Sequence, residues 1–90
     1  MGHTKPADLE DLQDLLDQLR AWDGIREKSK NVFYYKSAPF LHFHDKDGKR
    51  WADIRSKKNW DKLLKIPFNA TARQKAAFLE AVGKCYRSLL

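Results

Sequence analysis

The sequence of 90 residues predicts an α+β domain with two layers: an N-terminal helix, an antiparallel sheet of three or four strands and a C-terminal helix. Three observations support this. Apolar residues recur at helical spacing near both ends, aromatic and β-branched residues alternate between them, and an Asp-Gly pair separates two alternating runs. Because the chain is short and contains no repeat or linker, residues 1–90 are expected to form a single domain.

The first helix is predicted over residues 6–23. Its apolar residues are mostly three positions apart, as on one face of a helix: Leu9, Leu12, Leu15, Leu16, Leu19 and Trp22. Pro6 suits the first turn, where its missing N–H would have no partner. Gly24 is expected to end the helix in a left-handed conformation. Residues 25–30 are polar and charged, and are predicted to be a connector.

Three strands are predicted in the middle of the chain. Residues 32–36 are aromatic and β-branched, which favours a strand, and the Ser-Ala-Pro sequence at 37–39 is expected to interrupt it. The Asp-Gly pair at 47–48 predicts a hairpin turn between strands at 40–45 and 49–55. By alternation, one of the two tyrosines at 34 and 35 must face the apolar layer.

The hairpin predicts which side chains share a face of the sheet. With a two-residue loop, paired residues have numbers that add to 95. One face is then apolar and carries Leu41, Phe43, Ala52 and Ile54. The other face carries His42, His44, Trp51, Asp53 and Arg55. A slip by one residue would destroy this separation, so the register is strongly specified.

The last third of the chain predicts a further strand and the second helix. Residues 60–68 fit either a strand at 62–67 or a short helical turn, and Pro67 favours the strand because it limits a helix. Thr71 and Gln74 have the spacing of a capping box. The apolar face of the helix that follows consists of Phe78, Val82, Cys85, Tyr86 and Leu89.

Composition narrows the class of protein. A single cysteine excludes a disulfide framework and a cysteine zinc site, and Cys85 is predicted to be a buried structural thiol. No apolar run is long enough to span a membrane, and the first residues resemble neither a signal nor a transit peptide, so the cytoplasm is expected. The net charge of +6 is uneven: residues 1–24 carry two basic against six acidic residues, and residues 25–90 carry sixteen against six.

Two strand motifs carry a resemblance. The Phe-Leu-His-Phe-His sequence at 40–44 and the Ala-Asp-Ile-Arg sequence at 52–55 resemble those of short bacterial α+β proteins of uncharacterised function, over roughly residues 31–90. The order of elements is more loosely similar to that of MmcQ/YjbR-type domains, some of which are suspected of binding DNA. Both resemblances imply a compact α+β domain, and neither assigns a functional residue.

One candidate site consists of His42, His44 and Asp53 on the polar face of the hairpin. Two imidazoles and a carboxylate could bind zinc or iron, or could form a pair that tunes a general base. The alternative is structural: His42 and Asp53 form a cross-strand polar pair, and His44 stacks on Trp51.

The second candidate site is basic. Residues 46–65 hold eight Lys or Arg against three Asp, with Trp51 and Trp60 among them. Positive side chains neutralise phosphates, and exposed aromatic rings stack on unpaired bases. The candidate contacts are Lys46, Lys49, Arg50, Trp51, Arg55, Lys57 and Lys58. The alternative is a solvated surface with both tryptophans in the core.

Three functions follow from these sites. The first is a non-catalytic binding domain without a cofactor, whose basic hairpin surface meets nucleic acid or another acidic partner. The second is a protein-interaction domain that forms a homodimer. The third is a small metal- or histidine-dependent enzyme. Nucleic-acid binding depends on whether the acidic helix and the hairpin tip lie on opposite faces, since the helix would repel phosphates nearby.

Overall fold

The computed structural model describes the backbone of residues 6–29, 32–55 and 62–90. A 3-10 helix at Pro6–Leu12 continues into α1 (Gln13–Arg20). The strands are β1 (Ile25–Ser29), β2 (Val32–Tyr35), β3 (Ala38–Lys46), β4 (Lys49–Ile54) and β5 (Lys62–Lys65), followed by α2 (Ala72–Ser88). They form one antiparallel sheet in chain order. The α+β class is therefore confirmed, with five strands in place of three or four.

The N-terminal helix has two geometries where one α-helix was predicted. Leu9, Leu12 and Leu15 are three residues apart, and a 3-10 helix places such residues directly above one another. All three are buried, so this geometry keeps them on the core side until the α-helical spacing begins. Gly24 has a φ of +84°, so it adopts the left-handed conformation that was predicted, in the turn that leads into β1.

The predicted connector at 25–30 was wrong for the residues of β1. Ile25 pairs with Tyr35 and Glu27 with Phe33, so this polar segment is the edge strand of the sheet. Glu27 also accepts a hydrogen bond from Arg20 at 3.0 Å, which ties the strand to the end of α1. A single apolar residue at the start of the segment leaves no alternation to detect, and only the pairing with β2 makes it a strand.

The predicted interruption between the two strands is confirmed, but the turn lies at Lys36 and Ser37, and β3 already begins at Ala38. Lys36 has a φ of +57° and allows a tight turn there. Phe33 pairs with Leu41 whereas Tyr34 pairs with Pro39, so Phe40 is the extra residue of a β-bulge. The bulge lets Phe40 and Leu41 both point into the core, and it gives the proline a permitted position near the start of the strand.

The hairpin of β3 and β4 has the predicted register. Leu41 pairs with Ile54 and Phe43 with Ala52, and all four side chains are buried. Both turn residues, Asp47 and Gly48, have a positive φ, as a two-residue type I′ turn requires. The apolar face predicted from alternation is therefore confirmed.

The predicted strand at 62–67 is confirmed as β5, which pairs with β4. Thr71 Oγ1 accepts a hydrogen bond from the Gln74 N–H at 3.1 Å, and Gln74 Oε1 accepts one from the Thr71 N–H at 2.8 Å. The predicted capping box therefore begins α2. Trp60 lies outside the described residues.

Both helices pack on the same face of the sheet. The ring of Phe78 on α2 stacks on Phe43 with 5.9 Å between centroids, and the leucines of the N-terminal helix join the same core. Cys85 is buried in this core, as predicted. The result is the predicted two-layer arrangement, in which neither described helix covers the opposite face. In the described part of the chain, no helix is long and apolar enough to cross a membrane.

Arg50 is the one buried charged side chain among the described residues. Its guanidinium donates to both carboxylate oxygens of Asp11, at 2.7 and 2.8 Å, which joins β4 to the 3-10 helix. It also donates to the carbonyl oxygens of Ile66 and Pro67, at 2.9 and 2.6 Å. We call this arrangement the Arg50 clasp. It connects three segments that are distant in the sequence.

The clasp is completed by two contacts around it. Asp11 Oδ2 also accepts a hydrogen bond from the Ala70 N–H at 3.2 Å, and the guanidinium lies 4.6 Å from the centroid of the Phe68 ring. Hydrogen bonding to Arg50 lowers the pKa of Asp11 below its ordinary value of 3.8, although partial burial opposes this shift. Asp11 is therefore an anion in the folded protein at neutral pH.

Replacing Phe43 by Ala is expected to reduce the free energy of unfolding by about 3–5 kcal/mol, since a fully buried aromatic ring would leave a cavity. Denaturant unfolding monitored by circular dichroism measures the change. Leu63→Ala is the matched control in the same sheet, because Leu63 is 56% exposed. Its cost should stay below about 1 kcal/mol. Equal losses in the two variants would contradict the assignment of the core face.

Replacing Asp11 by Asn is expected to destabilise the protein at neutral pH and progressively less in acid. Since the pKa of Asp11 is lower in the folded state than in the unfolded chain, the stability it contributes is present above the unfolded value, near 3.8. That contribution is lost as the pH falls through the folded value. Urea unfolding of both proteins between about pH 7 and pH 3 should therefore show a difference that narrows in acid. A difference independent of pH would argue against an ionised clasp.

Candidate functional site

The uncovered face of the sheet, which we call the open face, gathers the candidate functional side chains. Its members alternate with core residues along each strand and are half-buried or exposed: Arg26, Val32, Tyr34, His42, His44, Lys46, Lys49, Trp51, Asp53, Leu63 and Lys65. Strand pairing places them in rows across the sheet. One row contains His44, Trp51 and Lys65, and these residues are direct neighbours on β3, β4 and β5.

Three aromatic rings are in contact at the centre of the open face. The rings of His42 and His44 have centroids 4.2 Å apart, and His44 stacks on Trp51 at 5.5 Å with an angle of 19° between the planes. The predicted stacking of His44 on Trp51 is therefore observed. Trp51 is outside the hydrophobic core, so its indole is available to the open face.

Asp53 contacts a different histidine from the one directly opposite it. Its predicted pairing with His42 is confirmed for the backbone, but the carboxylate reaches diagonally to His44. His44 Nε2 lies 2.9 Å from Asp53 Oδ2, and this contact is an ion pair when the imidazole is protonated. Within the described ranges, no group of three His, Cys, Asp or Glu residues has the arrangement needed to hold a metal ion. The open face therefore offers a polar contact here and no assembled metal centre in that part of the chain.

The open face is basic. Of the described residues, Arg26, Lys46, Lys49 and Lys65 lie on it, against the one carboxylate of Asp53. Across the described residues, no ion pair engages the three lysines. The open face therefore has an excess of positive charge that is available to an anionic partner.

The acidic residues of the N-terminal helix lie in the other layer. Asp11 belongs to the Arg50 clasp, and Asp14 Oδ1 lies 3.2 Å from Lys75 Nζ on α2. The hydrogen bond from Lys75 also lowers the pKa of Asp14. The sheet separates these carboxylates from the lysines of the open face. The acidic helix and the basic strands are thus segregated onto opposite sides of the domain.

The predicted basic contacts divide into three groups. Lys46, Lys49 and Trp51 lie on the open face, and half-buried Arg55 directly follows β4. Arg50 needs a correction: its side chain is 0% exposed and belongs to the clasp, so it cannot meet a partner. Lys57 and Lys58 lie outside the described residues.

The family and structure comparisons give no assignment. No protein-family model matches the chain, and no curated protein or solved structure is significantly similar to it. The functional argument therefore depends on the chemistry of the open face.

Sequence reasoning did not assign Lys65, Leu63 or Tyr34 to a candidate site. Lys65 and Leu63 share a face because they are two residues apart on β5, and alternation along that strand was the available signal. Tyr34 faces the same side, with the Lys28 ammonium 5.3 Å from its ring centroid. Its neighbour Tyr35 instead packs edge-on against Tyr86 in the other layer, so one tyrosine of the pair faces each side, as alternation predicted.

A groove of about 530 Å³ lies at the hairpin end of the open face, between β4 and β5. Its walls combine the indole of Trp51 with aliphatic and cationic side chains. The lining residues are Gly48, Lys49, Arg50, Trp51, Leu63, Lys65 and Pro67. The groove therefore adjoins the stacked rings of His44 and Trp51, and Lys49 and Lys65 place positive charge at its rim.

Protein purified without a histidine tag is expected to contain no stoichiometric zinc or iron, because His44 and Asp53 already contact each other and lack further ligands among the described residues. Elemental analysis after gel filtration measures the content. A metal-to-protein ratio near one that disappears in His42→Ala would contradict this and support the enzyme hypothesis.

Proposed function

We propose that this protein is a non-catalytic binding domain for single-stranded nucleic acid, which it contacts with the open face of its sheet. The observation that supports this is the row of half-buried His44, half-buried Trp51 and exposed Lys65 on a basic sheet surface, with both helices on the other side. Such a surface combines the two attractions that single strands offer: phosphate charge and unpaired base faces.

The charge of the open face suits a phosphate backbone. Lys46 and Lys49 face each other at the hairpin end, and Lys65 lies on the neighbouring strand. Each lysine that neutralises a phosphate releases a condensed counterion, which favours binding at low salt. Because the helix carboxylates lie in the opposite layer, they do not oppose this attraction.

The aromatic residues of the open face favour single strands over duplexes. Stacking of a base on an aromatic ring contributes about 1–3 kcal/mol, and every base offers such a face. In a duplex the base faces are covered by neighbouring pairs, so Trp51 would find only backbone. In the part of the chain that the structure describes, the surface is also a sheet with no projecting helix of the kind that enters a major groove.

The two alternative functions fit the open face less well. A homodimer that paired two open faces would bring Lys46, Lys49 and Lys65 of each copy close to the same charges of the other, which is unfavourable. A metal-dependent enzyme would need more ligands than His42, His44 and Asp53 bring together. Neither alternative uses the basic rim of the groove.

Labelled oligothymidylate is expected to bind at low salt and to bind more tightly than a duplex of equal length. Fluorescence anisotropy at several salt concentrations measures both, and the logarithm of the affinity should fall by about 0.7 per neutralised phosphate for each tenfold rise in salt. Lys49→Gln/Lys65→Gln should bind more weakly and reduce this slope by up to about 1.4.

The matched control is Arg73→Gln/Lys84→Gln, which removes the same charge from exposed positions on α2. It should leave the salt slope close to that of the unaltered protein, because these residues lie in the helix layer. Equal weakening by both double variants would show attraction by net charge alone and contradict a role for the open face. Absence of binding at low salt would exclude nucleic acid as the partner.

A further inference from the structure

We propose that the groove beside Trp51 is a subsite for one unpaired nucleotide of the bound strand. The base would lie against the indole, and its flanking phosphates would meet Lys49 and Lys65. This inference rests on the proposed function and adds to it a defined position on the open face. In this inference a single residue, Trp51, provides the ring on which the base stacks.

The strand register builds the groove from complementary parts. Trp51 pairs directly with Lys65, and Leu63, two residues before it on β5, is the diagonal neighbour of the indole. Trp51 therefore has a lysine directly across from it and a leucine diagonally across from it. Its volume of about 530 Å³ falls within the roughly 300–1,000 Å³ of small-ligand sites.

The exposure of Leu63 leaves apolar surface in the groove that an occupant can cover. At 56% it is one of two large apolar side chains that are exposed among the described residues, and the other is Leu90 at the end of the chain. A base inserted between Leu63 and Trp51 would remove apolar surface of both from water. Its sugar and phosphates would remain outside, near the cationic rim.

The groove is held open before any ligand binds. The Arg50 clasp fixes the segment after β5 through the carbonyl oxygens of Ile66 and Pro67. On the other wall, His44 stacks on Trp51 and limits the orientations of the indole. At the hairpin end, no atom of a described residue other than Gly48 and its two chain neighbours lies within 4 Å of the position that a Cβ on Gly48 would occupy. A strand can therefore enter the groove over the turn.

Charge decides between a nucleotide and an apolar peptide as the occupant. A peptide side chain would fill the apolar part but would cover Lys49 and Lys65 without neutralising them, which is costly for charged groups. A nucleotide within a strand has an apolar base flanked on both sides by phosphates. It therefore matches both the walls and the rim of the groove.

The test compares oligothymidylate with an abasic oligomer of the same length and phosphate number. The unaltered protein is expected to bind the base-bearing strand roughly 5- to 150-fold more tightly, as stacking on aromatic side chains predicts. Trp51→Leu should reduce this ratio by about 5-fold or more, whereas Trp51→Phe should retain most of it. Binding is measured by anisotropy, after thermal unfolding has confirmed that each variant is folded.

Tyr34→Leu is the matched control, because Tyr34 is an aromatic residue of the open face outside the groove. It should change the ratio by less than Trp51→Leu does. Equal ratios in Tyr34→Leu and Trp51→Leu would overturn the subsite. Equal affinity of the unaltered protein for both oligomers would also overturn it, although salt-dependent binding of both would leave the proposed function intact.

Competition with thymidine monophosphate tests whether the groove binds a nucleotide within a strand or a free mononucleotide. As a competitor it should displace the oligonucleotide only at much higher concentration, since it offers one phosphate to the two lysines. Equal affinity for the mononucleotide and the oligomer would overturn the assignment to a strand. Absence of all binding at low salt would remove both the subsite and the proposed function.

Discussion

The burial of Arg50 is the constraint on which the rest of the structure depends. A guanidinium removed from water is strongly destabilising unless its donors find acceptors and its charge finds a partner. Asp11 supplies the charge, and the carbonyl oxygens of Ile66 and Pro67 supply the remaining acceptors. The 3-10 helix, β4 and the segment leading to α2 are therefore held in one arrangement, because any other would leave a buried charge unpaired.

This constraint also shapes the functional surface. The clasp draws the acidic N-terminal helix to the core side, where Asp14 meets Lys75 as well. The open face retains Lys46, Lys49 and Lys65 with little opposing charge. The same hydrogen bonds anchor the end of β5 beside β4, which gives the groove next to Trp51 a fixed wall. One buried ion pair thus contributes to both the charge distribution and the shape of the surface.

An element of this fold could be predicted from the sequence where the interactions that form it join residues close together in the chain. The register of β3 and β4 was predictable residue by residue, because a two-residue turn and an alternating pattern are both local. Edge strand β1 has no such pattern and exists through its pairing with β2. Arg50 was assigned to the surface by its charge, although its even number places it on the face of Ala52 and Ile54. The alternation of side chains along β4 therefore predicted that Arg50 faces the core.

The sequence by itself determined both helical segments, the hairpin, and the division of β3 and β4 into an apolar and a polar face. These features arise from side chains a few residues apart, whose spacing is set by the backbone geometry. Only the tertiary structure decided that Asp11 meets Arg50, that the acidic helix lies away from the open face, and that Trp51 meets Lys65 and Leu63 across a groove. Those contacts join residues far apart in the chain, and packing of the whole core is what selects them.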